Sequence, residues 1–336
     1  MPDRYLLTAD RIPCRTLLDL LDGMAGEPRA IVLIGSGMSI PVGYPTWGDL
    51  TADLVRLAGL ETIYPIPRGN VHWTDRLPVI IQSCWQTLTE RGDESRFAEF
   101  LDKTFPREGL QGPLDVYEYV LGTDFSSFLT TNFDLSLEYA RLRNSRARYV
   151  TASPVWRRDD LRPELLSDGE RRTYYLHGRA RDEYANPSFE TLVIRQSDYD
   201  SAYGTNAPGS LRAFLSTALK EYVVLFAGYG FRDPEIDSLL IDYRDWAAES
   251  TDGRRHFALC AVSAPGRNGG VGQDPGPDEC LDKLSRLGIA ALRYCPESHD
   301  EAHEPLVGFF RELSRAAPYR GVALPAGKGT EVGPRQ

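Results

Sequence analysis

The sequence has few cysteines, and no two of them are close together. Its 336 residues include five cysteines without a C-x-x-C pair, namely Cys14, Cys84, Cys260, Cys280 and Cys295. Zinc ribbons and redox-active pairs use cysteines two residues apart, so neither kind of site is expected. Scattered cysteines are typical of reduced proteins. We therefore predict a cytoplasmic protein without structural zinc.

Long apolar runs and an excess of basic charge are also missing. No stretch approaches the roughly 20 apolar residues that cross a bilayer, and charges interrupt the N-terminal apolar stretch, which excludes a signal peptide. Lys and Arg number 38 against 48 Asp and Glu, a formal net charge of −10. Such a chain does not bind nucleic acid by bulk charge, although a local Arg patch is compatible with it. Neither a membrane nor bulk nucleic acid is expected as a partner.

What the sequence does contain is an alternation of apolar runs with helical patterns. Continuous apolar runs of this length favour strands that are covered on both faces. They occupy residues 31–35, 125–132, 173–178, 221–230, 256–262 and 288–294. Helical patterns at 135–143, 211–220, 234–249 and 304–317 separate or follow them. Strand and helix in repeated alternation predict an α/β fold with a doubly wound parallel sheet.

Three regions depart from this alternation. Residues 48–124 are too long for one crossover and contain helical stretches, which predicts a helical subdomain inserted in the sheet. Residues 263–279 are dense in Gly and Pro, which indicates a mobile surface loop, with a binding loop as the alternative. Residues 319–336 are expected to be a disordered tail. The predicted domain is therefore 1–318, with its insertion at about 48–124.

Four of the predicted strands end in small or polar residues. They are, strand by strand, Gly35-Ser36-Gly37 with Ser39, Thr131-Asn132 with Asp134, His177, and Gly228-Tyr229-Gly230 with Asp233. The first turn fits neither G-x-G-x-x-G, because residue 40 is Ile, nor a P-loop, because no Gly-Lys-Ser/Thr follows. In an open α/β sheet, ligands bind outside the carboxyl ends of the strands. We expect the four ends to surround one crevice.

Each of these features also has a purely structural explanation. A glycine turn is often just a tight turn, an Asn at a strand end is commonly an Asx turn, and a single His before Gly is often structural. The Gly228–Gly230 turn fits a simple strand-to-helix connection. Asp233 precedes Pro234 at a helix start, so it is either a helix cap or a ligand contact. The order and spacing of the four ends favour a binding site.

The four ends together resemble the sirtuin (SIR2) family, in the SIR2-like branch of bacterial defence proteins. The sirtuin motif G-A-G-x-S followed by G-x-P matches residues 35–39 and 43–45, and T-Q-N-x-D matches 130–134 with Thr131 in place of Gln. His177-Gly178 matches the sirtuin H-G, and residues 228–233 match the G-Y-[SG]-x-x-D form of the SIR2-like branch. The resemblance covers about 30–48, 124–140, 172–180 and 220–240. It implies a Rossmann-like sheet that binds NAD.

The resemblance also implies roles for the residues at the strand ends. Asn132 and His177 would be catalytic, with Asn132 holding water or a ribose hydroxyl and His177 accepting a proton. NAD would be bound by Gly35, Ser36, Gly37, Ser39, Thr131, Asp134, Gly228, Tyr229, Gly230 and Asp233, with its pyrophosphate in the first loop and its carboxamide at Asp134.

The positions at which the sequence departs from the sirtuin motifs limit the activities that we expect. The four zinc-binding cysteines of the sirtuin deacylases are absent, and Thr46-Trp47 replaces the acidic-Phe-Arg turn. Deacylation is therefore disfavoured, and an NAD hydrolase that depletes NAD in antiviral defence is the favoured hypothesis. A non-catalytic NAD or ADP-ribose sensor and a deacylase or ADP-ribosyltransferase stay open. A classical dehydrogenase is disfavoured by the failed G-x-G-x-x-G.

Regulation is expected to lie outside this chain. An ungated NADase would kill its host, and we expect no second sensor domain after about residue 318. We therefore predict a homo-oligomer or a separately encoded partner, such as a HerA-like ATPase or an Argonaute-like protein.

Overall fold

A parallel sheet lies at the centre of the molecule. The structure, a computed structural model, describes residues 7–8, 30–66, 77–106, 112–143, 152–180, 191–204, 211–250, 256–261, 277–294 and 304–316. Its strands are β1 Leu7–Thr8, β2 Ala30–Ile34, β3 Ser127–Thr130, β4 Thr173–Tyr175, β5 Val223–Ala227, β6 His256–Ala261 and β7 Ile289–Tyr294. The six apolar runs identified in the sequence are β2 to β7.

The strand order confirms the predicted doubly wound fold. The order across the sheet is β1-β7-β6-β5-β2-β3-β4. All pairs from β2 to β7 are parallel, and only the short β1, which the sequence did not indicate, is antiparallel to its neighbour β7. Without β1 this is the Rossmann order, in which the strand order reverses between the first and fourth strands, here β2 and β5.

Helices cover both faces of the sheet. They are α1 Trp47–Ala58, α2 Leu77–Glu90, α3 Glu94–Thr104, α4 Asp115–Leu121, α5 Ser136–Arg143, α6 Gln196–Tyr203, α7 Leu211–Glu221, α8 Pro234–Glu249, α9 Pro277–Arg286 and α10 Glu304–Ala316. None of these described helices is long and apolar enough to cross a bilayer. Helices α1 to α4 all lie between β2 and β3, where the sequence predicted a helical insertion.

Alternate residues of β2 pack into two separate hydrophobic cores, one on each face of the sheet. Val32 and Ile34 pack with residues of α1 to α5 and of α10. Ile31 and Leu33 point to the other face and pack with residues of α6 to α9. Because side chains alternate along a strand, an apolar residue at every position of β2 is what a sheet covered on both faces requires.

The register places the ends of four strands at one level. Ile34 of β2 pairs with Thr130 of β3 on one side and with Ala227 of β5 on the other. Thr130 pairs in turn with Tyr175 of β4. The chain segments that follow these four residues therefore start side by side, at the point where the strand order reverses. These are the four polar strand ends of the sequence.

Three helices, α4, α6 and α9, escaped the sequence-based prediction, and the predicted loop at 263–279 extended too far. α6 has the sequence QSDYDSAY, and its buried residues are only Tyr199, Ala202 and Tyr203, which is too short an apolar pattern to stand out. α4 is similarly short. α9 begins at Pro277, inside the segment predicted as a loop at 263–279. The rest of that segment and the predicted tail lie outside the described residues.

Candidate functional site

A cavity of about 710 Å³ lies beyond the strand ends. That volume is in the range of small-molecule and cofactor sites. Nine of the twelve candidate residues line it: Ser36, Ser39, Thr131, Asn132, Asp134, His177, Tyr229, Gly230 and Asp233. Helix α1, from the region inserted between β2 and β3, supplies part of the wall. The structure therefore brings all four strand ends to one cavity, as the sequence predicted.

The three remaining candidates, Gly35, Gly37 and Gly228, hold two loops together. The amide of Gly35 donates to Ala227 O at 2.9 Å, and that of Gly37 donates to Gly228 O at 2.9 Å. A Cβ on Gly35 would lie 2.5 Å from Gly228 O, and a Cβ on Gly37 would lie 2.9 Å from Gly228 Cα. Glycine is therefore required here for the contact between the two loops.

The first loop also offers few free amides. Met38 N donates to Gly35 O at 3.1 Å and Ser39 N to Ser36 O at 2.9 Å, so four of the five amides at 35–39 bond to backbone carbonyls. Two 3-10 turns follow, and the next α-helix starts only at Trp47. A loop with several unpaired amides running directly into a helix, as the predicted pyrophosphate site needs, is not the arrangement seen. The assignment of the pyrophosphate to this loop stays a prediction.

Ser39 is the centre of a buried hydrogen-bond network that also contains Tyr117, Asn132 and Asp134. We call these four residues the serine network. Ser39 Oγ donates to Asp134 Oδ2 at 2.6 Å and accepts from Asn132 Nδ2 at 2.8 Å. The Tyr117 hydroxyl lies 2.7 Å from the same oxygen. Because the single Ser39 hydrogen points to the carboxylate, Tyr117 must be the donor in its bond.

The network fixes the orientation of the Asn132 amide. Nδ2 donates to Gly35 O at 3.0 Å as well as to Ser39, which uses both of its hydrogens. A backbone carbonyl only accepts, so the NH₂ group must face Gly35. The side-chain oxygen Oδ1 is then left for a ligand. We expected Asn132 to offer a donor and an acceptor, but the structure leaves it only the acceptor.

Asp134 is largely committed to holding the fold. Its Oδ2 accepts from Ser39, and its Oδ1 accepts from Ser136 N at 3.0 Å. Burial raises the pKa of this carboxyl, and the hydrogen bonds from Ser136 and Ser39 oppose that shift. Asp134 lines the cavity, but the observed bonds are those of a structural residue. Its predicted contact with the nicotinamide carboxamide stays a prediction.

His177 follows β4 and reaches the cavity with a buried ring that is 4% exposed. Gly178, at φ +78°, turns the chain immediately after it, and a Cβ at this position would lie 2.4 Å from Thr191 O. Nε2 of His177 lies 2.8 Å from the Tyr203 hydroxyl and 3.4 Å from Asp233 Oδ2. Burial lowers the pKa of His177 to about 3, so the ring is neutral at pH 7. A neutral imidazole is able to accept a proton.

Asp233 caps a helix, one of the two alternatives left open by the sequence, and because it also lines the cavity its contact with a ligand stays a prediction. Its Oδ1 accepts from Glu235 N at 3.0 Å and from Ile236 N at 3.2 Å, at the start of α8. Its Oδ2 is buried and makes no hydrogen bond of standard geometry within the described residues. Burial raises the pKa of Asp233 to about 7, although the two amides favour the charged form.

The turn that leads to Asp233 has an unusual backbone. Gly228 has φ +61°, and Phe231 has φ +51°, the one positive φ among the described non-glycine residues. A positive φ is energetically unfavourable for a bulky residue, and residues in this conformation are concentrated at functional sites. Lys283 of α9 donates to Phe231 O and pairs with Asp237 at 2.7 Å, which holds the turn. The Tyr229 hydroxyl in this turn is buried without a hydrogen-bond partner in the described chain.

Several cavity residues were missed in the sequence. Arg232 is half-buried and lines the cavity between Gly230 and Asp233. Arg56 of α1 also lines it, but it pairs with Asp53 at 2.5 Å. Tyr199 of α6 lines the cavity, and its ring packs edge-on against His177. The one available signal was the position of Arg232 beside a proposed motif, because α1 and α6 reach the cavity only through the tertiary fold.

A metal site is not evident in the part of the chain that the structure describes. No group of three or more His, Cys, Asp or Glu residues is arranged there to hold a metal ion. Cys84 and Cys260 are buried and form no disulfide among the described residues, and burial raises the pKa of Cys84 to about 12.

Comparison with known proteins relates part of the chain to a known family. Residues 126–269 match the family model of the SIR2-like domain. This part of the chain is therefore similar to the SIR2-like domain. The resemblance found at the strand ends is thereby confirmed, and three of the four, those with Asn132, His177 and Gly228, lie inside the matched range. The first loop lies outside that range, and its hydrogen bonds to the 227–228 backbone join it to the SIR2-like part.

Two curated relatives belong to bacterial defence or act on NAD. The chain is 24% identical over 239 residues to the NAD(+) hydrolase ThsA of Bacillus cereus (strain MSX-D12), covering 69% of this chain and 43% of the relative. It is 22% identical over 212 residues to defense-associated sirtuin 2 of Bacillus subtilis, covering 63% of this chain and 19% of the relative. The chain thus spans less than half the length of either relative. The SIR2-like defence branch is supported at the level of the family.

Proposed function

We propose that this SIR2-like domain hydrolyses NAD to nicotinamide and ADP-ribose, and that it depletes NAD in antiviral defence. The observation that carries the proposal is the presence of Asn132 and His177 in one cavity, where Asn132 Oδ1 is left for a ligand and the His177 ring is neutral. Neither residue is needed to bind a phosphate, so their pairing favours an enzyme over a sensor. The relative named an NAD(+) hydrolase supports the same activity.

The reaction needs little from the protein besides orientation and one proton acceptor. Nicotinamide in NAD is a cationic leaving group, and its departure takes the electron pair of the C–N bond and leaves an oxocarbenium-like ribose. A water oxygen then bonds to that carbon. Asn132 Oδ1 accepts one hydrogen of this water and orients it, and His177 Nδ1 takes the proton that the water loses. Burial keeps His177 neutral and ready for that step.

In this proposal, Arg232 binds the negatively charged pyrophosphate of NAD, and the first loop does not. The amides of that loop are mostly used, and Arg56 is paired with Asp53. Arg232 makes no ion pair within the described residues and lies at the cavity. The planar guanidinium suits a diphosphate because it offers two parallel donors.

The decisive experiment measures products and binding separately. Wild-type protein incubated with NAD should release nicotinamide and ADP-ribose, as followed by chromatography. His177→Gln should lower kcat by about 10²–10⁴-fold and leave the NAD affinity measured by calorimetry nearly unchanged. Arg232→Gln is the matched binding variant, and it should raise KM more than it lowers kcat. NAD binding without any turnover by the wild-type protein would favour the sensor instead.

Gating by assembly is part of the proposal. An oligomer, or a separately encoded partner such as an ATPase or an Argonaute-like protein, would switch the activity on. The same product assay across a dilution series tests this, because a dilute monomer that is as active as any complex would contradict it.

A further inference from the structure

The carboxylate of Asp233 does more than a helix cap requires. A cap needs one acceptor oxygen, and Asn or Ser supplies it as well as Asp. Here Oδ1 alone accepts the hydrogen bonds from both α8 amides, those of Glu235 and Ile236. Oδ2 lies 3.4 Å from His177 Nε2 and makes no hydrogen bond of standard geometry in the described structure. Capping therefore does not account for the second oxygen, whose neighbours include the His177 ring and the Tyr199 hydroxyl.

The surroundings of Asp233 give it one basic partner within the described residues. The other acidic side chains of the first turns of α8 are paired elsewhere: Glu235 lies 3.8 Å from Arg212 and Asp237 lies 2.7 Å from Lys283. From α6, Tyr199 and Tyr203 pack their rings against His177.

Tyrosine is the remaining titratable type near this carboxylate. Burial, and then the charge of Asp233, raise the pKa values of Tyr199, Tyr203 and Tyr229 well above their usual value. These tyrosines are neutral at any working pH. The basic side chain in contact with Asp233 among the described residues is His177, which is neutral at pH 7.

We propose that Asp233 is the positioning residue of His177. Its carboxylate holds the Nε2 hydrogen, shared with the Tyr203 oxygen, so that the ring keeps the tautomer with Nδ1 unprotonated and directed to the cavity. When Nδ1 accepts the proton of the attacking water, the imidazolium that forms is stabilised by the negative charge of Asp233. This inference rests on the proposed NAD hydrolysis. The proton passes to solvent when the products leave.

The kinetic test uses a substitution that separates the two roles of the side chain. Asp233→Asn keeps an oxygen for the α8 cap and removes the charge that faces His177, whereas Asp233→Ala removes both. For Asp233→Asn we expect kcat to fall about 10–100-fold, the usual loss when the partner that orients a functional imidazole is removed, and KM for NAD to stay within about threefold. Tyr203→Phe, which keeps the carboxylate, should lose less.

The pH profile adds a result that a structural role would not produce. Since burial raises the pKa of Asp233 to about 7, wild-type kcat should fall as pH drops below about 7, and Asp233→Asn should lack this acid limb. If Asp233→Asn keeps the wild-type kcat and pH profile, the carboxylate is only a cap and the proposal is wrong. Loss in Asp233→Ala but not in Asp233→Asn leads to the same conclusion.

A second measurement keeps this inference separate from the proposed activity. NMR of protein with ¹⁵N-labelled histidine reports the tautomer of His177, assigned by the loss of its signals in His177→Gln. Wild-type protein should show Nε2 protonated and Nδ1 unprotonated, and Asp233→Asn should weaken that preference. If the wild-type protein shows this pattern but does not hydrolyse NAD, the proposed function fails while the His177–Asp233 pairing stands. A His177 ring that is protonated on Nδ1 contradicts the proposal.

Discussion

The serine network and the histidine cluster (His177, Tyr203, Tyr229 and Asp233) reach the same cavity but differ in how their polar atoms are satisfied. In the serine network, the amide hydrogens of Asn132, the hydroxyl of Ser39 and both oxygens of Asp134 take part in hydrogen bonds. In the histidine cluster, Asp233 Oδ2 and the Tyr229 hydroxyl are buried and make no hydrogen bond of standard geometry in the described structure.

This difference indicates that the serine network supports the site structurally and that the histidine cluster takes part in its chemistry. A fully bonded buried network fixes the position of the segments that carry it, here the first loop, the end of β3 and α4. Buried polar atoms without partners cost stability, and proteins retain them mostly where a ligand or a reaction uses them. The comparison therefore assigns the scaffold of the site to Ser39 and its partners and the proton chemistry to the histidine cluster. Three substitutions test that division.

The largest effect on stability is expected from Ser39→Ala. It leaves the Asp134 carboxylate, one Asn132 amide hydrogen and the Tyr117 hydroxyl without their shared partner. Each unsatisfied buried group costs about 1–3 kcal/mol, so the free energy of unfolding should fall by about 4 kcal/mol. Urea denaturation measures it. The matched control is Ser36→Ala at the same cavity, which should change stability by less than about 0.5 kcal/mol because the Ser36 hydroxyl makes no hydrogen bond within the described residues. Equal losses of stability in Ser39→Ala and Ser36→Ala would contradict the structural role that we assign to the serine network.

The second effect is a change in how stability depends on pH. Burial lowers the pKa of His177 from 6.5 to about 3 and raises that of Asp233 from 3.8 to about 7. Between about pH 4 and 6.5, the native pair therefore binds one proton, on Asp233, and the unfolded pair also binds one, on His177. The two contributions cancel, and the pair adds no pH dependence in that window.

Asp233→Asn should expose the histidine contribution. The native state then binds no proton at this site while the unfolded state still protonates His177, so stability is lost as pH falls below about 6.5. The loss relative to wild type is about 1.4 kcal/mol per pH unit, or about 3 kcal/mol between pH 6.5 and 4.5. His177→Gln should show the opposite slope, because Asp233 then gains a proton only in the native state. Urea midpoints at the two pH values measure both. If Asp233→Asn follows the wild-type curve, the histidine cluster does not contain the coupled pair described above.

The smallest effect is expected from the glycine contact that supports the serine network. Gly35→Ala places a Cβ 2.5 Å from Gly228 O and forces the two loops apart. Overpacking of this kind costs about 2 kcal/mol, and it should also displace the Gly35 carbonyl that accepts from Asn132. The control is Gly230→Ala, where a Cβ would meet no atom within 4 Å. A thermal melt of both variants makes the comparison, and a Gly35→Ala variant as stable as Gly230→Ala would show that the loops adjust freely.

The sequence predicted the sheet and most helices because their signals are local. Continuous apolar runs gave the six parallel strands, and the Asp233-Pro234 pair gave the start of α8 at its observed residue. α4 and α6 are too short for their periodicity to be distinctive, and Tyr199 and Tyr203 of α6 were missed for that reason. Arg232, half-buried at the cavity, was passed over because a single arginine has no pattern of its own.

The sequence by itself determined which residues stand at the strand ends, and the parallel fold brought nine of the twelve candidates to one cavity. What each of them does there was decided by tertiary contacts. Gly35 and Gly37 are glycines because another loop packs on them, and Asn132 is an acceptor because Gly35 and Ser39 use its hydrogens. His177 and Asp233 are 56 positions apart in the sequence, and only the pairing of strands and the placement of α8 bring them within 3.4 Å. Hydrogen bonding and burial depend on neighbours in space, and the order of residues along a chain does not contain those neighbours directly.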